Sequence, residues 1–174
     1  DTYIKRREQL CRLINNGIVL LFGNNESPCN YPANAYAPFR QDSSFLYYFG
    51  LQEIGLIGVI DTETNEEWLL GNDVDVEDIV WYGSVDCVAD LAAQVGVQNT
   101  APITELQTIC DKAKACGQQI HFLPPYRHDT KIQIMDLLGI HPSKQKESAS
   151  LTLINAVVKM RSTKEPQEIE AIER

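Results

Sequence analysis

Between Arg40 and Lys112 the sequence contains no lysine and no arginine. That segment carries fourteen acidic residues, a charge of −14, while the remainder of the chain is +5 and the whole is −9. Nucleic-acid binders need Lys and Arg to displace phosphate counterions, so an acidic middle argues against that class. Two readings of the segment stay open: a solvated acidic face, or a face that meets a cationic partner or a positive patch on a neighbouring subunit. Long apolar runs are also missing. None reaches the roughly 18 residues needed to span a bilayer, and the first ten residues, DTYIKRREQL, lack the apolar stretch of a secretory signal. The five cysteines (Cys11, Cys29, Cys87, Cys110, Cys116) are odd in number and contain no CxxC. They read as reduced thiols of a cytoplasmic protein. Cys110 and Cys116 lack a second ligand pair at zinc-site spacing. With no initiator methionine, the chain is expected to begin inside a longer gene product or after tag removal.

Catalytic signatures are scarce as well. There is no HExxH, and the nearest approach to GxSxG, YGSVD at 82–86, lacks the second glycine. Gly50, Gly55 and Gly58 do not match GxGxxG. The histidines His121, His128 and His141 are scattered. His121 alternates with apolar residues and reads as a core or edge histidine with its hydrogen bonds satisfied. RHD at 127–129 has no accompanying nucleophile and reads as a loop. Asp73, Asp75 and Glu77 alternate like oxygen ligands for calcium, but Asp78 stands where an EF-hand loop starting at Asp73 needs glycine. An acidic helix start explains that stretch better.

What is present fits a soluble α/β domain. The 174 residues suffice for one domain with its own core, and 44% hydrophobic with 22% charged residues is ordinary for the class. Apolar spacing predicts a helix over 2–15 and buried strands at 18–22 and 119–123. A hairpin is predicted from 56–61 and 66–71 around TETN, and helices over 75–82, 86–95, 103–116 and 129–138. Residues 23–38 read as a long loop. Hairpins give antiparallel pairs and helical crossovers parallel ones, so the expected fold is α/β, a mixed sheet of about five or six strands with helices on both faces. Near the end, Ser162 and Glu165 have capping-box spacing ahead of Pro166, and Ile169 and Ile172 begin an apolar stripe.

The stretch FRQDSSFLYYFG at 39–50 sets five aromatics around Arg40, Gln41, Asp42, Ser43 and Ser44. Residues 45–49 read as a central strand, with Phe45, Tyr47 and Phe49 on one face, ending at Gly50. An arginine beside so much aromatic surface must be paired if it is buried. Two roles follow for Arg40: a clamp with a carboxylate that fixes the 23–38 loop to the sheet, or a residue facing a catalytic cleft elsewhere. On residues alone the chain looks like a packed α/β domain without its own active site.

Three segments together resemble the N-terminal domain of Xaa-Pro aminopeptidases (aminopeptidase P), of the creatinase/prolidase type. They are FRQDSSFLYYFGL at 39–51, Trp81–Tyr82–Gly83 after DVDVEDIV, and VVKMRSTKEPQEIEAIER at 157–174. The resemblance marks Arg40, Gln41, Asp42, Tyr47, Gly50 and Gly83 as structural motif positions. It implies a non-catalytic domain over 1–160, with 161–174 as linker and first helix of a pita-bread catalytic domain that lies outside this chain. That second domain would hold two divalent metal ions, usually manganese, and cleave the bond before proline. This domain would aid oligomer contacts and shape substrate access, and Trp81 would add an apolar wall to a neighbouring subunit's substrate pocket. No catalytic or metal residue of the family maps onto this chain. Ser84 stands near the place where members often carry a basic residue. Prolidase, or a free-standing binding module on the same fold, are the alternatives.

Overall fold

The computed structural model describes residues 2–35, 38–73 and 86–173. In chain order these form α1 (Thr2–Leu13), β1 (Ile18–Phe22), β2 (Pro28–Cys29), β3 (Tyr31–Ala35), α2 (Ser43–Phe49), β4 (Ile57–Asp61) and β5 (Glu67–Leu70). Then follow α3 (Val88–Gln94), β6 (Asn99–Ala101), α4 (Glu105–Ala115), β7 (Ile120–Phe122), α5 (His128–Leu138), α6 (Pro142–Ser148), α7 (Leu151–Ser162) and α8 (Pro166–Glu173). The expected helix over 75–82 lies outside the described residues.

Five strands make one mixed sheet in the order β6-β5-β4-β1-β7, and β2 and β3 form a separate two-stranded ribbon. β1 pairs antiparallel with β4 and parallel with β7. The β4–β5 hairpin is antiparallel, and β6 adds to β5 in parallel. The hairpin turns where the sequence placed it: Asp61 Oδ1 accepts from the amides of Glu63 (2.8 Å) and Thr64 (3.2 Å), and Asn65 takes the left-handed conformation at φ 59°. Alternation along the strands then divides the core between two faces. Val19, Leu21, Ile60 and Leu69 pack with α1, α2, α3 and α7. Ile18, Leu20, Ile57, Val59 and Leu70 pack with α4 and α5. Helices therefore cover both faces, as the sequence pattern requires.

Three local expectations are corrected. Residues 45–49 are not a strand but the body of α2. Asp42 caps the helix, its Oδ1 accepting from Ser44 N (2.8 Å) and Phe45 N (2.9 Å), and Gly50 ends it at φ 70° with its amide on the Leu46 carbonyl. Two caps and the burial of Phe45, Tyr47, Tyr48 and Phe49 outweigh the strand preference of aromatic residues. Part of the presumed 23–38 loop is the β2–β3 ribbon, which turns through Asn30 at φ 74°. The capping box lies three residues later than its spacing suggested. Ser162 ends α7, and its hydroxyl donates to the Lys159 carbonyl. Glu165 precedes Pro166, and Glu168 accepts from the Glu165 amide at 3.0 Å.

Candidate functional site

The Arg-Gln-Asp motif is a junction between loops, and its centre is Gln41 rather than Arg40. Gln41 is 3% exposed. Its Oε1 accepts from Asn24 N (2.6 Å) and Asp42 N (2.9 Å), and its Nε2 donates to the Glu53 carbonyl (2.7 Å). One amide side chain thus ties together the exit of β1, the start of α2 and the loop before β4. Asn24 adds a bond from Nδ2 to the Arg40 carbonyl at 2.9 Å, so Arg40 takes part through its backbone. The Arg40 side chain is exposed, which removes the buried clamp expected for it. Glutamine suits the place because it presents both an acceptor and a donor without charge, where a buried cation would need a counter-ion. Tyr126 closes the outer side, its hydroxyl donating towards Asp42 Oδ2 (3.1 Å) and Asn24 Oδ1 (3.2 Å).

The buried arginines are Arg6 and Arg7, on α1. Arg7 is fully buried. It donates to Glu67 Oε2 (2.8 Å), the Tyr48 carbonyl (3.0 Å) and the Val95 carbonyl (2.8 Å), and its guanidinium lies 5.1 Å from the Phe49 ring centre. Burial pushes the Glu67 carboxyl above its usual range, and Arg7 draws it back only in part. Arg6 donates to the Tyr47 carbonyl (3.0 Å), stacks 3.9 Å from the Tyr47 ring centre and pairs with Glu165 at 2.5 Å and Glu168 at 3.5 Å. Tyr47 is the hub of this end. Its hydroxyl donates to the Met160 carbonyl (3.3 Å), and burial raises its phenol above the ordinary range. Arg161 reaches Ser44 Oγ at 3.2 Å. Gly50 is fixed by two demands: the left-handed turn, and the Tyr3 ring lying where a side chain would stand.

Sequence reasoning found the aromatic motif but missed the two arginines that clasp it. A signal existed. Ile4, Leu10 and Ile14 stand at helical spacing along α1 and just past its end, and Arg7 falls on the same stripe between them. Of the predicted site residues, the structure brings Gln41, Asp42, Tyr47 and Gly50 to one helix and its caps. Trp81, Gly83 and Ser84 lie outside the described residues. His121 is buried with both ring nitrogens engaged, Nδ1 with Ser150 Oγ (2.7 Å) and Nε2 with the Asn16 carbonyl (2.6 Å), as expected of a structural histidine. Arg127 and Asp129 pair with each other, leaving His128 exposed at the start of α5. Among the described residues no three His, Cys, Asp or Glu side chains gather to hold a metal ion. What this arrangement does chemically is hold: it locks α2 against both ends of the chain.

Residues 3–121 match the family model for the N-terminal domain of aminopeptidase P. The chain belongs to that family. The domain's fold is that of solved aminopeptidases P. The Escherichia coli enzyme in its low-pH form superposes with a TM-score of 0.73 at 22% identity, over 97% of this chain and 40% of that one. Pseudomonas aeruginosa aminopeptidase PepP gives 0.66 at 23%, over 85% and 34%. A zinc-substituted E. coli aminopeptidase P in complex with product gives 0.73 at 20%, over 97% and 40%. Among curated proteins, human Xaa-Pro dipeptidase is 28% identical over 115 residues, 62% of this chain and 23% of the relative. The domain thus spans about a quarter of that relative's length and about two fifths of the E. coli structures.

Proposed function

We propose that this chain is the N-terminal, non-catalytic part of a metal-dependent peptidase that releases the N-terminal residue from Xaa-Pro peptides. The family match over residues 3–121 carries this reading. On it, residues 1–160 form the domain body, and 161–174 lead into the first helix of a pita-bread catalytic domain. That second domain would bind two divalent ions, manganese being the expected metal. On this reading the ions' ligands belong to that second domain. The domain's own work is mechanical: contacts between subunits and control of access to the catalytic cleft. Trp81 is assigned to the wall of a neighbouring subunit's pocket, where an aromatic face excludes water from the substrate. The protein would act in the cytoplasm. No described helix is long and apolar enough to cross a membrane.

A second reading, Xaa-Pro dipeptidase, is favoured by the human relative of that name. Manganese-loaded longer protein, assayed on Xaa-Pro dipeptides and on longer Xaa-Pro peptides, separates the two. Cleavage of the longer peptides supports the aminopeptidase, and cleavage of dipeptides alone supports the dipeptidase. Hydrolysis of neither removes the peptidase reading. In the same protein, Trp81→Ala should lower kcat/KM on longer peptides by the equivalent of roughly 1–3 kcal/mol, with assembly unchanged. An unchanged kcat/KM would remove Trp81 from the pocket.

A further inference from the structure

Glu53 stands in the loop between α2 and β4. Its backbone is fixed there, with Gln41 Nε2 donating to its carbonyl at 2.7 Å. Its side chain is not matched in the same way: Oε2 is buried and has no hydrogen-bond partner. A carboxylate oxygen held out of water without a donor carries a desolvation cost that nothing offsets, and such atoms are rare in folded proteins. Its own stretch of chain supplies no counter-ion, since residues 41–111 contain neither lysine nor arginine. Glu53 lines a half-open cleft of about 740 Å³, a size ordinary for small-molecule sites. Among the described residues, the lining holds three further carboxylates, Glu26, Asp73 and Asp86, and no lysine or arginine. The floor is apolar. Leu56, Val88 and Leu91 are buried there, and Ile54 beside Glu53 is 50% exposed. The walls are tied to one another: Asp73 Oδ1 accepts from Val88 N at 2.7 Å, and Asn72 Oδ1 from Ile103 N at 3.2 Å.

We propose that this cleft binds a small organic cation, a primary ammonium carried on an apolar stem, with Glu53 as the anchor. The charge of the lining selects the sign: an anion would meet carboxylates with no cation beside them. The floor selects the stem. A bare metal ion would leave Leu56, Val88 and Leu91 unused, whereas an aryl or alkyl chain of a few carbons covers them and removes apolar surface from water. The single unmet oxygen selects the head group. A compact ammonium satisfies one acceptor at a time, while a planar guanidinium is matched by both oxygens of a carboxylate. Glu26, Asp73 and Asp86 add to the field that draws the cation in. The inference stands on the cleft itself and not on the peptidase reading above.

The test is a titration of the nitrogen-15-labelled chain, followed by amide chemical shifts, with 2-phenylethylammonium chloride and separately with 2-phenylethanol at matched ionic strength. The ammonium should move the amides of Gly55, Leu56, Val88 and Leu91 along a saturable curve, and the alcohol, which keeps the stem and lacks the charge, should bind at least about tenfold more weakly. Glu53→Gln keeps the shape and the backbone bond to Gln41, and should weaken the ammonium by about tenfold or more. The Gln41 side-chain amide resonances should stay in place in that variant, which separates a lost anchor from a lost fold. Glu63→Gln removes an exposed carboxylate of the β4–β5 turn, outside the cleft, and should leave the affinity unchanged. Equal binding of the alcohol would overturn the proposal, because the cleft would then be an apolar pocket indifferent to charge. Binding undiminished in Glu53→Gln would overturn it too, as would an equal loss in Glu63→Gln, which would mean a diffuse acidic field. The absence of any saturable shift would mean that water alone meets Glu53.

Discussion

Replacing Gln41 by leucine isolates what the Arg-Gln-Asp motif contributes. The side chains are similar in volume, so packing changes little, but three backbone groups lose their partner: the amides of Asn24 and Asp42 and the carbonyl of Glu53. An unmet buried polar group costs about 1–3 kcal/mol. Asn24 is buried and bears the full penalty, while Asp42 and Glu53 are partly exposed and admit water. The total is therefore about 3 kcal/mol. For a chain of this size that corresponds to a fall in Tm of roughly 6–12 °C. Arg40→Ala, one residue away, removes an exposed side chain and should stay within about 0.5 kcal/mol. Urea unfolding of both variants, followed by far-UV circular dichroism, measures the difference. A loss below about 1 kcal/mol for Gln41→Leu, or a loss at Arg40→Ala as large as at Gln41, would refute the assignment of the junction to Gln41.

Arg7→Met should cost about 3–5 kcal/mol by leaving Glu67 buried beside an apolar chain; Glu67→Gln in the same background should recover part of it in chemical unfolding. Asp129 is pushed up by burial but more strongly down by hydrogen bonds from Arg127 and the Thr130 amide, so its folded pKa lies below the usual 3.8. Its stabilisation is present above that value and lost as pH falls through the folded pKa, so the deficit of Asp129→Asn in urea should be clear at about pH 7 and shrink at about pH 3. Cys116 is exposed whereas burial lifts the Cys11 and Cys110 thiols to about 11. Iodoacetamide mapped by mass spectrometry should therefore label Cys116 well before the other two.

The strands that run as short apolar blocks between turn residues, β1, β4, β5 and β7, were legible in the sequence, and so was the two-sided cover of helices. β6 was not, because its three residues, Asn99–Ala101, are mostly exposed and gain their place only by adding to the edge of β5. α2 was misread because aromatic residues favour strands, while its two caps act over three or four residues and outweigh that preference in context. The site was half legible. Gln41, Asp42, Tyr47 and Gly50 stood out as a motif, but the partners of Arg6 and Arg7 lie up to 159 residues away and no local pattern names them. Charge near aromatics drew attention to Arg40. Burial, which decides whether an arginine must be paired, is a property of the fold.

The place of β1 between an antiparallel and a parallel neighbour bears on the order in which the sheet assembles. Its antiparallel neighbour comes from about forty residues further along the chain and its parallel neighbour from about a hundred. The entropy of closing a loop grows only with the logarithm of its length, so the longer closure costs about 0.8 kcal/mol more. That is too little to rank the two events. Ladder length ranks them: β1 registers five residues against β4 but three against β7. We expect the β1–β4–β5 meander to form first as a template, with β7 docking onto its open side and His121 then joining the turn before β1 to the start of α7. In pulsed exchange during refolding, amides of β4 should gain protection before those of β7. The reverse order would mean that the helices flanking β7 deliver it as a preformed unit.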